Sequence, residues 1–111
     1  MRKDRTLYPQ LMMQAFGKIR TYLDKMSLDD FAKNDEKQSA VIMQLHVLGE
    51  LAKNTSGDIK EEIDIQWKEM AGMRDIISHQ YFNINLDMIW EAIKVKAPEF
   101  EKRIAAWLKS Q

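Results

Sequence analysis

Apolar residues along this chain recur at spacings of three and four, the period of a helix that buries one face. Leu11, Ala15, Ile19 and Tyr22 or Leu23 form the first such stripe, with Met12 and Phe16 widening it, and predict a helix over about Tyr8–Lys25. Pro9 fits the first turn of that helix, where its missing N–H is not needed. Ser27-Leu28-Asp29-Asp30 then reads as an N-cap that opens a short helix containing Phe31. Val41, Leu45, Leu48 and Ala52, with Ile42 and Val47 beside them, predict a second long helix over about Asp35–Lys53 with Asp35 as its cap. Gly49 interrupts this helix at a cost of ~1 kcal/mol relative to alanine, which points to close packing of a neighbouring backbone. Asn54-Thr55-Ser56-Gly57-Asp58 has the composition of a loop.

A third helical segment is expected over about Asp64–Ser78, with Ile65, Met70 and Met73 apolar and Trp67 near its start. Asn83-Ile84-Asn85 is a break. Leu86, Ile89, Trp90 and Ile93 mark a further helix, which Pro98 stops or kinks. Phe100, Ile104, Trp107 and Leu108 carry the pattern to the end. No Asn-Gly or Asp-Gly hairpin signal and no sustained alternation is present, so strands are not expected. The fold class is all-α: an up-and-down bundle of about four long helices plus short ones. The eight methionines are expected to fill gaps in the core or an interface.

Length and charge narrow the function. With 111 residues the chain is expected to form one domain, residues 1–111, around one core. Seventeen basic and seventeen acidic side chains cancel, which argues against strong nonspecific binding to nucleic acid without excluding a local basic cleft. There are no cysteines, so disulfides and thiolate metal sites are absent. No apolar run nears the roughly 20 residues that span a bilayer, and Met1-Arg2-Lys3-Asp4-Arg5 leads into no apolar signal segment. A cytoplasmic protein without a membrane partner is expected.

The candidate chemistry sits in Arg74-Asp75-Ile76-Ile77-Ser78-His79-Gln80-Tyr81. A guanidinium can grip two phosphate oxygens in a fork, and a histidine near its free pKa of ~6.5 can take or give a proton at neutral pH. Asp75 and His79 are four apart, so the carboxylate can reach an imidazole nitrogen and fix its tautomer. Arg74 and Tyr81 are seven apart and in phase on a straight helix. Arg74 and His79 are five apart, roughly 140° around it. They meet in one small site only if the helix ends near His79 or if two chains share the site. These groups suit attack on a phosphodiester by the ribose 2′-hydroxyl and require no cofactor. His46 and His79, the two histidines of the chain, have no ligand partner at a metal-binding spacing, so no metal is expected. Taken alone, His46 reads as a structural histidine, and the Arg74–Tyr81 cluster has an ordinary reading as an ion pair beside a half-buried tyrosine.

The flanks add a resemblance. Gly72-Met73-Arg74-Asp75-Ile76-Ile77-Ser78-His79-Gln80-Tyr81-Phe82, followed by Leu86-Asp87-Met88-Ile89-Trp90, resembles the HepT-like branch of the HEPN superfamily, which carries an arginine, four residues, a histidine, one residue and a tyrosine. Ser39-Ala40-Val41-Ile42 followed by Leu48-Gly49-Glu50 resembles that family's long helix with its Gly-Glu pair. Trp67–Gly72 and Pro98-Glu99-Phe100 fit its later segments. The likeness spans about residues 4–109. Met43-Gln44, His46 and Leu51 depart from the family pattern and lie outside the motif.

The resemblance implies a small all-α toxin that dimerises, with two Arg-x4-His motifs meeting in one cleft to cut RNA without a metal. Its partner would be a minimal nucleotidyltransferase antitoxin that silences the toxin by attaching AMP to the motif tyrosine. Carried over residue by residue, Arg74 and His79 would be catalytic, Asp75 would support the site, and Tyr81 would be the modified residue. The competing expectation is a non-catalytic HEPN module whose cleft holds a nucleotide or the nucleotidyltransferase. A bare helical dimerisation domain is the third.

Overall fold

The computed structural model describes residues 4–75 and 85–111. Among these residues every regular element is helical. They are α1 (Leu7–Tyr22), α2 (Leu28–Ala32), α3 (Asp35–Asn54), α4 (Gly57–Glu62), α5 (Trp67–Ala71), α6 (Leu86–Glu91) and α7 (Ala97–Lys109). A 3₁₀ turn, Gly72–Arg74, continues α5, and a π-helical turn, Ala92–Lys96, joins α6 to α7. None of these helices is long and apolar enough to cross a membrane.

Helix α3 is the central element and packs against α1, α2, α5 and the 3₁₀ turn. Its inward stripe is the one its sequence period predicts: Val41, Leu45, Leu48 and Ala52 are fully buried. Helix α1 buries Met12, Ala15, Phe16 and Ile19, and Leu23 just after its end. Leu11, expected at the centre of that stripe, lies only at its edge. The helix ends at Tyr22 rather than Lys25, because Lys25 takes a left-handed conformation (φ 62°) that turns the chain toward α2. Helix α7 lies against α1 with Phe100, Ile104 and Trp107 inward. Met12, Met70 and Met73 are buried core methionines, whereas Met43 and Met88 stay exposed.

Local polar groups set the boundaries. Ser27 caps α2 reciprocally: Asp30 N–H donates to Ser27 Oγ (3.1 Å), and Ser27 N–H donates to Asp30 Oδ2 (3.0 Å). This lets Phe31 point fully inward, with its ring 5.5 Å from that of Trp90. The cap of α3 is Asn34, whose side chain accepts from Lys37 N–H at 3.0 Å, and not Asp35, which occupies the first helical turn beside the positive helix end.

Further expectations need correction. The polar stretch Asn54–Asp58 is not one loop. Asn54 still belongs to α3, and Gly57 already opens α4, which tucks Ile59 into the core. The segment expected as one helix from Asp64 begins only at Trp67, after a bend closed by Trp67 Nε1–H donating to Ile63 O (3.0 Å) and Lys60 O (3.1 Å). Asn85 caps α6 by accepting from Met88 N–H at 3.1 Å. Pro98 does not stop the last helix. The ladder widens ahead of it, with Ala97 N–H reaching back to Ala92 O. A wider turn relieves the clash between a proline ring and the preceding carbonyls, so the helix runs on.

Candidate functional site

Arg74 owes its position to main chain rather than to side chains. Met70 and Met73 are buried and anchor the α5–3₁₀ segment beside α3. At the crossing the α3 residue is Gly49. A Cβ there would stand 2.6 Å from Arg74 N, 2.9 Å from Ala71 O and 2.8 Å from Arg74 Cβ. The close backbone approach expected of Gly49 is therefore present, and the segment it admits is the one that carries Arg74.

The next residue on α3 takes the guanidinium. Arg74 Nη1 donates to Glu50 Oε1 at 2.9 Å, and Nε lies 3.6 Å from Asp75 Oδ1, an ion pair without a hydrogen bond. The Arg74 side chain is 31% exposed. Of its five N–H groups one is engaged by Glu50, and Nη2 makes no hydrogen bond among the described residues. The hydrogen bond to Glu50, and then the charges of Glu50 and Asp75, raise the pKa of Arg74 further above its ordinary value. Arg74 is thus a permanent cation that leaves donors unengaged among the described residues. In return the Arg74 hydrogen bond holds the Glu50 carboxyl below the usual carboxylate range, with Lys53 and His46 adding to the effect from the same helix.

Of the sequence-predicted residues, Arg74 and Asp75 come together here. His79 and Tyr81 lie outside the described residues, as do the expected Asp75–His79 contact and the alignment of Tyr81 with Arg74. His46 is exposed on α3, one turn before Glu50. Glu50 is the residue that sequence reading left without a role. Twenty-four positions separate it from Arg74. The available signal was its place directly after a glycine already marked for close backbone contact. Among the described residues no group of three or more histidines or carboxylates is placed to hold a metal.

The sequence is similar along nearly its whole length to known proteins. The family description "Ribonuclease HepT-like" matches residues 12–106, nearly the whole chain. A Thermococcus cleftensis protein named probable ribonuclease HepT is 32% identical over 107 residues, covering 92% of this chain and 97% of that one. A Caldanaerobacter subterraneus protein, named as a candidate RNase, is 37% identical over 87 residues, 78% of each chain. A Methanocaldococcus jannaschii protein named as a gamma-glutamylcyclotransferase and candidate RNase is 34% identical over 105 residues; this chain spans 47% of its length. No solved structure matches significantly. The chain belongs to the HepT-like ribonuclease family of the HEPN superfamily, and its enzyme class is that of the family.

Proposed function

We propose that the protein is the toxin of a toxin–antitoxin pair, a metal-independent endoribonuclease that works as a homodimer. The observation that carries this reading is the seat of Arg74: a permanently charged fork, held by Gly49 and Glu50, 31% exposed and with donors unused among the described residues. In the reaction Arg74 grips the non-bridging oxygens of the scissile phosphate and offsets the charge that builds on them. His79 takes the proton from the ribose 2′-hydroxyl, the 2′-oxygen attacks phosphorus, and the 5′-oxygen leaves with a proton donated by an imidazolium or water. Asp75 holds the imidazole in its reactive tautomer.

A homodimer belongs to this reading because Arg74 and His79 are five apart in sequence, roughly 140° around a straight helix, and two chains that share one cleft can bring such groups together. Silencing by a nucleotidyltransferase that transfers AMP to Tyr81 completes this reading, on the resemblance of the Arg74–Tyr81 motif. An added phosphate close to Arg74 would bring negative charge and bulk that compete with RNA.

The test is RNA cleavage in EDTA by purified protein, wild type beside Arg74→Ala and His79→Ala, with the intact mass of each sample. Loss of cleavage in both folded variants supports the assignment, and an unmodified folded dimer that cuts nothing overturns it. A Tyr81→Phe variant still silenced by covalent AMP would falsify the modification site. A second reading, a non-catalytic module that binds a nucleotide or the nucleotidyltransferase, draws on the two carboxylates beside Arg74, which leave the described site with no surplus positive charge. It requires nucleotide or partner binding that survives without any cleavage.

A further inference from the structure

Arg74 does not meet a polyanion unaided. Its charge is opposed by Glu50 and Asp75, so this part of the surface repels a phosphate chain unless other cations lie alongside. Two basic side chains lie on α3 itself. His46 precedes Glu50 by four residues and Lys53 follows it by three, so all three share one helix face. His46 and Lys53 are both exposed, and neither makes a hydrogen bond or ion pair within the described residues. Their separation of seven residues is ~10.5 Å along the helix axis, with the Arg74 guanidinium on Glu50 between them. Three successive phosphates over this span would be ~5 Å apart along it, wider than the ~3.4 Å rise of a stacked strand, so the span suits an extended, unstacked single strand. Apolar ground borders the line: Met43 is exposed, and Ile42 and Val47 are half-buried.

We propose that His46 and Lys53 are RNA contacts flanking Arg74, so that single-stranded RNA lies along the exposed edge of α3 with the scissile phosphate at Arg74 and its neighbours on His46 and Lys53. The contacts to phosphate fix where the strand lies and which phosphate reaches Arg74. The apolar side chains beside them receive unpaired bases, which a duplex would keep stacked away from the protein. The field of both residues is already felt at Glu50, whose carboxyl they help to keep ionised. This inference rests on the ribonuclease reading above and adds the path of the substrate.

The experiment is fluorescence anisotropy with a fluorescein-labelled, fully 2′-O-methylated single-stranded RNA. That probe binds without being cut, because the attacking hydroxyl is blocked. Wild type, His46→Ala, Lys53→Ala, the double variant and Lys109→Ala, a charge control at the far end of α7, are each titrated across a salt series. The double variant is expected to bind about tenfold more weakly than wild type. Loss of Lys53 should flatten the dependence of log K on log salt by ~0.7, the value of one phosphate contact on a single strand. Lys109→Ala should bind as wild type does. Melting temperatures of all variants should be unchanged, because both side chains are exposed. Wild-type affinity and slope in the double variant, with cleavage still dependent on Arg74, overturns the track and leaves the ribonuclease reading standing. A wild-type protein that neither binds the probe nor cuts unmodified RNA overturns both.

Discussion

Two arginines in this fold make nearly the same contacts and are built for different ends. Arg5 pairs with Glu62 and Asp58, and Arg74 pairs with Glu50 and Asp75. Their side chains are almost equally exposed, 33% and 31%. The surroundings separate them. The Arg5 guanidinium lies 5.6 Å from the centroid of the Trp107 ring, and Trp107 Nε1–H donates to Glu62 Oε1 at 3.1 Å. That network ties the start of the chain, α4 and α7 together through a buried indole. Arg74 has no ring across its face among the described residues, and it is the backbone, not the guanidinium, that is wedged in place. An ion pair alone therefore says little about role; what separates these two is the surroundings, an indole beneath Arg5 and a closely packed backbone beneath Arg74.

Exchanging the two arginines' fates is the most direct way to break this comparison. Arg74→Ala is expected to lower RNA cleavage by about 10²–10³-fold, the loss typical when one donor to a developing oxyanion is removed, with little change in melting temperature. Arg5→Ala should do the reverse, lowering the melting temperature while the cleavage rate stays near wild type. Parallel cleavage assays and thermal melts read both. A nuclease defect in Arg5→Ala as deep as that of Arg74→Ala would erase the distinction.

Gly49→Ala comes next. Its methyl group would fall within 3 Å of two backbone atoms, Arg74 N and Ala71 O, which cannot rotate away. Overpacking of this kind costs about 1–3 kcal/mol, against which alanine's better helix propensity returns only ~1 kcal/mol. A urea melt should record net destabilisation or, if the segment shifts instead, near-normal stability with cleavage lost. A variant stable and fully active would show that the seat is unnecessary.

Glu50→Gln sharpens the comparison further. The amide still accepts from Arg74 but no longer opposes its charge. We expect kcat to fall several-fold, as the fork loses its fixed aim, while KM for RNA falls or holds because a negative charge has gone. Glu62→Gln should alter only stability. A rise in KM with unchanged kcat would remove Glu50 as a positioning residue.

The smallest effect concerns pH. Both Glu50 and Glu62 have carboxyls held below their ordinary values, first by hydrogen bonds from Arg74 and Arg5 respectively. A depressed folded-state pKa means that the stabilisation is complete above the unfolded carboxyl's ~4.3 and is lost as pH falls through the folded value. Melting temperature should therefore drop below about pH 4, and less steeply in each Gln variant than in wild type.

How much of this was legible follows the range over which each interaction acts. The inward stripe of α3 and the Ser27 capping box lie within a few residues and were readable from spacing alone. Helix α4 was hidden because its six residues bury only Ile59, too few positions to show a period, beneath the loop-like composition Asn-Thr-Ser-Gly-Asp. The π-helical turn left no signal beyond Pro98. At the site, the Arg74–Asp75 pair was visible as neighbours, and Gly49 was visible as an expensive residue inside a helix. Glu50 was not, since nothing in a linear reading joins positions 50 and 74. Which of five arginines would sit on a glycine of α3 was equally invisible until α3 and the 3₁₀ turn were seen to cross.

The glycine contact also bears on how such a protein can diverge. A seat made of main chain does not depend on what side chain occupies it. Replacing Arg74 leaves Gly49, the buried methionines and the crossing of α3 intact, so the frame survives the loss of its chemistry. On the proposed role of Arg74, one substitution would end cleavage and leave a protein that still folds, and restoring that side chain would return the activity to a scaffold that had kept its shape.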